Sequence, residues 1–251
     1  YLVFIVKSMD LFLKNNYQKC RKSVVEFLNE YKMFNITNYM KKIHNFYFPD
    51  WDNHFQDFFN LNIGYQEAQR NRALSFVEDF GVAIDCGAHV GLWSRDLSNF
   101  FENLYCFEPV KEFFECLKLN IKSKNAKLFN LGLGEKKIEK QAVITKSSGN
   151  SGGSRTLTDY YEVKKEDEIQ NIKLINLDSL NLNKVDFIKI DVEGLGLQVL
   201  KGMSNTLMVC NPVVCIELFE EVEKAEQMKF MHSIGYDLVD IIIKEHVFKK
   251  K

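Results

Sequence analysis
The stretch Val82–Gly91, VAIDCGAHVG, narrows the choice of fold more than any other part of the chain. An apolar run, Val82-Ala83-Ile84, ends in an acid, Asp85, and a turn holding Gly87, Ala88 and Gly91 follows at once. Continuous apolar sequence marks a strand covered on both faces, as in a parallel sheet flanked by helices. Glycine permits the sharp turn and lets a ligand approach the backbone. The helix that opens next offers free N–H groups at its first turn. Together these features predict an α/β domain that seats a nucleotide-type cofactor after its first strand.

The turn reads Gly87-Ala88-His89-Val90-Gly91. It lacks the three-glycine spacing that seats a dinucleotide pyrophosphate, and it has no lysine for a phosphate cradle. Asp85 at the strand tip disfavours pyrophosphate and suits the cationic amino-acid end of S-adenosylmethionine (SAM). A second short apolar segment, Leu104-Tyr105-Cys106-Phe107, ends in Glu108-Pro109. Glu108 lies about 20 residues beyond the glycine turn, where a doubly wound domain places its ribose-binding acid. A third candidate strand, Lys127–Asn130, runs into Leu131-Gly132-Leu133-Gly134, a loop that can lie over the adenine or serve as a plain turn.

A fourth strand is read in Val185–Gly194, VDFIKIDVEG. At period two, Phe187, Lys189 and Asp191 share one face. A lysine in a central strand is costly unless paired, and Asp191 or Glu217, at the tip of the next apolar segment Val213–Ile216, can pair with it. Asp85, Glu108, Asp191 and Glu217 all fall at strand ends, where open α/β sheets place their ligands. The alternative is a structural ion-pair network around Lys189.

These blocks, with LFNLGLG, SGNSGGS, INLDSL, VLKG and VVCIEL in the same order, resemble the FkbM-type SAM-dependent methyltransferases between about Val82 and Leu218. The resemblance implies a class I methyltransferase fold, a doubly wound, mostly parallel seven-stranded sheet, and O-methylation of a sugar, glycan or small-metabolite hydroxyl. It assigns Asp85, Gly87, His89 and Gly91 to the SAM loop and Glu108 to the ribose, and Gly132 of the loop above is the candidate for the adenine side. Asp191 and Glu193 fall in a D-x-E-G block beside the transferred methyl, and with Lys189 they form the candidate catalytic set. The resemblance favours an active-site flap for the polar loop Ser147–Arg155, with Ser151, Ser154 and Arg155 facing substrate and Arg155 placed to meet an anionic group on it. Where the family commonly has Gly-Ala-Glu, this chain has Gly194-Leu195-Gly196, one acid fewer. This departure favours altered specificity or a non-catalytic SAM-fold interaction domain.

Residues 1–75 are expected to form a helical N-terminal extension, a lid or a homo-oligomer contact, ahead of a methyltransferase domain over 76–251. The aromatic cluster Phe46, Tyr47, Phe48, Trp51, Phe55, Phe58 and Phe59 can pack that extension or offer a platform to a flat substrate. Ala73–Phe80, Lys111–Asn120 and Glu220–Ile234 read as helices. Gln141–Thr145, Ile172–Leu177, Tyr236–Ile243 and a piece near Val247 read as strands.

The net charge of −1 disfavours general nucleic-acid binding, which needs a basic footprint. A ribose 2′-O-methyltransferase acting on RNA remains an alternative, with Lys189, Asp191 and Glu217 as part of its set, although a second lysine is missing. No run is long enough for a membrane span. The six cysteines form no C-x-x-C pair, so no zinc site is expected, and reduced thiols fit a cytoplasmic protein; the strand-end acids leave magnesium, which takes oxygen ligands, as an alternative.

Overall fold
The computed structural model describes residues 39–56, 65–158, 161–218 and 221–251. The chain divides into two compact units, Tyr1–Lys41 and Lys42–Lys251. Helices expected before residue 39 therefore lie outside the described residues. Within the described part of 1–75, helix is found at residues 54–56 and in α1 (Glu67–Leu74), while Met40–Ile43 and Phe46–Pro49 are strands.

Seven strands form the central sheet: β1 (Val82–Cys86), β2 (Asn103–Phe107), β3 (Ala126–Phe129), β4 (Phe187–Ile190), β5 (Val213–Glu217), β6 (Tyr236–Ile242) and β7 (Glu245–Lys250). Their order is β6-β7-β5-β4-β1-β2-β3. The pairs β5–β4, β4–β1, β1–β2 and β2–β3 are parallel, and β7 runs antiparallel to both β5 and β6. The order reverses direction at β1–β4, so the first crossovers diverge there and open a crevice at the carboxyl ends of these strands.

Apolar content places these strands. Ala83, Ile84, Phe187, Ile188, Val214 and Cys215 are all fully buried, and the sheet carries a hydrophobic cluster on each face. α2 (Leu92–Phe100) turns Trp93 and Leu97 inward, and α3 (Lys111–Asn120) turns Phe113, Cys116 and Leu117 inward, the spacing of one helical face. α4 (Gly196–Gly202), α5 (Ser204–Cys210) and α6 (Glu221–Ser233) complete the helices of this domain. A smaller four-stranded sheet, built from Gly132–Leu133, Ile138–Ile144, Arg155–Thr156 and Glu168–Ile175, lies between β3 and β4 in the chain.

Two readings need correction. The helix placed at Ala73–Phe80 lies at Glu67–Leu74 instead. Its sequence, EAQRNRAL, is polar, and one of its buried residues is Arg70, which pairs with Asp96 at 2.5 Å. No apolar stripe announces it, whereas Phe76 and Phe80 pack without helix, on Arg72 and Phe101 respectively. Gly132–Leu133 is not loop but a short strand beside Leu174–Ile175. Of the two readings of the aromatic cluster, packing is the one observed for its described members: Phe46, Phe48 and Phe55 are buried, with Phe48 stacked on Phe55. Phe58 and Phe59 lie outside the described residues.

No helix among the described residues is long and apolar enough to cross a membrane. At Gly202 a β-carbon would lie 1.9 Å from the Gly134 carbonyl oxygen, and backbone cannot yield as a side chain can. Gly202→Ala is expected to lower stability by at least about 1–3 kcal/mol, the cost of overpacking, read as a fall in urea midpoint. An unchanged midpoint would mean that α4 does not press on the Gly134 turn.

Candidate active site
The first crossover builds the floor of the site. Gly87 has φ +81, and a β-carbon there would lie 1.9 Å from the Asp191 carbonyl oxygen. Asp191 N–H in turn donates to Cys86 O at 2.9 Å. The glycine turn and the D-x-E-G segment are thus in backbone contact, which a side chain at residue 87 would prevent. His89 also takes a left-handed conformation, φ 51, a region where histidine is enriched among non-glycine residues.

Glu108 ties two crossovers together. Its carboxylate accepts from His89 N–H at 2.9 Å and from Val110 N–H at 2.7 Å. Val110 precedes α3, so Glu108 meets one of that helix's unpaired amides. Burial pushes Glu108 up to about 8 in spite of these two bonds. Asp85, on β1, accepts from Ser94 Oγ of α2 at 2.5 Å, and burial pushes it up to about 6.

The second acid group grows from β4, β5 and β7. Register places Lys189 beside Asp85 on one side and Cys215 on the other, and Glu217 beside Glu245. With side chains alternating along each strand, Lys189, Asp191, Glu217 and Glu245 come to one face. Lys189 is fully buried, with Nζ 2.8 Å from Glu245 and 3.5 Å from Asp191, and it lies over the Trp93 ring. Burial alone would depress this ammonium, but Asp191 and Glu245 outweigh it and hold Lys189 well above the ordinary lysine value. Burial, then the neighbouring Asp191 charge, push Glu217 up to about 9. Glu217 therefore carries a proton near neutrality.

The small sheet supplies the outer wall. Ser151 Oγ donates to Asp52 and lies 2.8 Å from His89 Nε2, while Ser151 N–H reaches Asp52 at 2.9 Å. Because the hydroxyl proton goes to Asp52, His89 Nε2 is the donor to Ser151. Burial pushes His89 down to about 4, so it is neutral. Ser154 Oγ accepts from Thr145 N–H at 3.2 Å. Arg155 pairs with Glu193 at 3.1 Å. Burial raises the Glu193 pKa and Arg155 opposes the shift.

One cavity of about 1100 Å³ is lined by Asp85, Gly87, His89, Glu108, Gly132, Lys189, Asp191, Glu193, Ser151, Ser154 and Arg155. Of the residues singled out in the sequence, Gly91 is absent from this wall. It shapes the turn from behind, at φ +96 against Leu117. Lys189 reaches the cavity but is engaged by two carboxylates, so its part is to hold Asp191. Sequence reading missed Glu245, Asp52 and Ser94. Glu245 and Asp52 come from segments remote in sequence, and only Ser94, facing Asp85 from the first turn of the next helix, left a local trace. Among the described residues no group of three or more His, Cys, Asp or Glu side chains is arranged to hold a metal ion.

The Methyltransferase FkbM domain model matches residues 85–238. No curated protein matches the chain. Similar solved structures include a methyltransferase FkbM from Methylobacillus flagellatus KT, at 17% identity, TM-score 0.49, covering 67% of this chain and 43% of that one. This chain thus spans less than half the length of that protein. Others are a precorrin-6y C5,15-methyltransferase from Geobacter metallireducens GS-15, at 13% identity, TM-score 0.45, covering 74% and 95%, and M. jannaschii TYW2 in complex with AdoMet, at 12% identity, TM-score 0.38, covering 84% and 86%.

Two outcomes test the electrostatics. Lys189→Met leaves Glu245 buried and unpaired and should cost about 3–5 kcal/mol in chemical denaturation, whereas Lys189→Met with Glu245→Leu should recover most of it. An equal loss in both would show that the pair is not the source of the cost. Glu108 holds its proton in the folded chain up to about pH 8, while the unfolded carboxyl releases it near its ordinary value. Its stabilisation is therefore present at low pH and lost as pH rises from that value through 8. Between pH 5 and pH 8, the wild type should lose stability relative to Glu108→Gln by more than about 1 kcal/mol. Parallel pH profiles would contradict the assignment.

Proposed function
This chain belongs to the FkbM methyltransferase family and has the class I methyltransferase fold, and we propose that it moves a methyl group from SAM to a hydroxyl oxygen of a sugar or small metabolite. One observation carries the reading: Asp85, Glu108 and Asp191, from three neighbouring strand ends, line a single cavity beside Gly87. Its volume of about 1100 Å³ lies just above the usual range of about 300–1,000 Å³ for small-molecule sites, which suits a nucleoside cofactor with a second molecule beside it.

The residues present fit SAM. Each Glu108 oxygen accepts one backbone N–H; the protonated carboxyl adds an O–H donor and keeps remaining acceptor capacity, so ribose hydroxyls, which donate and accept, find partners there. Asp85, buried at the floor, offers negative charge toward an amino-acid end. Gly87 leaves the backbone open to close approach. When bound, SAM supplies a methyl on a cationic sulfur, an already activated leaving group. The chain's task is then to hold the acceptor oxygen in line and to receive its proton. Asp191 suits that task. Its carboxylate lines the cavity 3.5 Å from the buried Lys189 ammonium, which favours its charged form, with Glu217 as a neighbouring carboxyl. The free thiols Cys86, Cys106, Cys116, Cys210 and Cys215 support a reducing, cytoplasmic setting.

Calorimetric titration and mass-spectrometric acceptor screening test the assignment. Glu108→Ala should weaken SAM binding by about tenfold or more, the loss of a pair of ribose hydrogen bonds. Asp191→Asn should cut turnover by about 10²–10⁴, the range for a general base, with SAM affinity nearly intact. Unchanged turnover removes Asp191 from the role, and failure of the wild type to bind SAM removes the reading itself.

A further inference from the structure
A second cavity, of about 530 Å³, meets the first along Arg155, Asp191, Glu193 and Glu217, which line both. Its far wall comes from α6 and includes Glu223 and Gln227. Two lining side chains carry buried polar atoms without a partner: Nε of Arg155, a donor, and Oε1 of Gln227, an acceptor. Gln227 is only 2% exposed. Leaving such atoms unpaired is unfavourable unless a ligand meets them.

Gly196 explains how Gln227 comes to be there. A β-carbon at residue 196 would lie 2.5 Å from Gln227 Nε2 and 2.6 Å from Oε1. The amide occupies the volume into which any side chain at 196 would project. The position where the sequence lacks an acid is therefore filled by a neutral amide from another helix.

We propose that this second cavity is the acceptor subsite and that Gln227, with Arg155, selects a neutral polyhydroxylated acceptor over a phosphorylated one. The proposal rests on the methyltransferase reading above. A hydroxyl both donates and accepts, so one molecule bearing several can satisfy both unpaired atoms. A phosphate can accept from Arg155 but has no proton for Gln227 Oε1. It would also meet Asp191, Glu193 and Glu223 in the same wall, against which the cations on it are Arg155, already paired with Glu193, and Lys224.

The test separates cofactor from acceptor. Calorimetry first measures binding of S-adenosylhomocysteine to the full chain. Saturation-transfer NMR on the loaded protein then compares methyl hexopyranosides and neutral disaccharides with hexose 6-phosphates and nucleoside monophosphates. Neutral members should bind, with phosphorylated ones at least about tenfold weaker. Gln227→Leu should weaken neutral binding by about tenfold, as the loss of one hydrogen bond implies, with nucleoside affinity unchanged. Gly196→Ala, which pushes the amide aside from the opposite direction, should do the same, so one poorly folded variant does not remove the test. The proposal is overturned if the nucleoside binds but no neutral sugar does, if phosphorylated members bind as tightly, or if both variants bind sugars like the wild type. Failure of S-adenosylhomocysteine to bind would instead overturn the cofactor reading beneath it.

Discussion
A lysine at the centre of a buried strand organises this molecule. Lys189 has no exposed surface, and an isolated ammonium in that position would be expelled or neutralised. It is kept by Glu245, from the last strand, and by Asp191, two residues further along its own. This requirement joins the two halves of the fold. β7 must return antiparallel beside β5 to bring Glu245 within reach, and β4 must lie against β1 so that Asp191 meets the glycine turn. The same charge holds Asp191 at the mouth of the crevice, so a structural pair and a candidate catalytic group are one electrostatic unit.

Around that unit the acids fall into distinct states. Glu108 and Asp85 are buried and raised, each held by donors from the crossover turns, and Glu217 is raised by burial and by its neighbour Asp191. A site that leaves carboxyls short of solvent and donors suits ligands bringing hydroxyls or positive charge, because these supply the missing partners. The same asymmetry disfavours phosphate. Both cavities share Asp191, Glu193 and Glu217, so nucleoside and acceptor would meet at these three acids.

Much of this was legible in the sequence, for a physical reason. Buried parallel strands must be apolar end to end, so VAIDC, LYCF, FIKI and VVCIE stand out, and any charge on them falls at a tip or demands a partner. Hence Asp85, Glu108, Lys189 and Asp191 could be named from the chain alone. What remained hidden depends on contacts that sequence spacing does not carry. Glu245 arrives through a hairpin after Ile242, with Ile243 at φ 61; no glycine or asparagine marks that turn. Asp52 reaches Ser151 from nearly a hundred residues away. Gln227 is a polar residue on a helix whose importance shows only where Gly196 leaves room for it. The helix α1 was misplaced because an ion-paired arginine, not an apolar stripe, fixes it.

A crystal structure of the chain soaked with S-adenosylhomocysteine tests the central claim most directly. The account predicts ribose hydroxyls within hydrogen-bonding distance of Glu108 and the sulfur turned toward Asp191, in the cavity beside Gly87. A nucleoside bound elsewhere, or one whose ribose and sulfur face away from these two carboxylates, would contradict it.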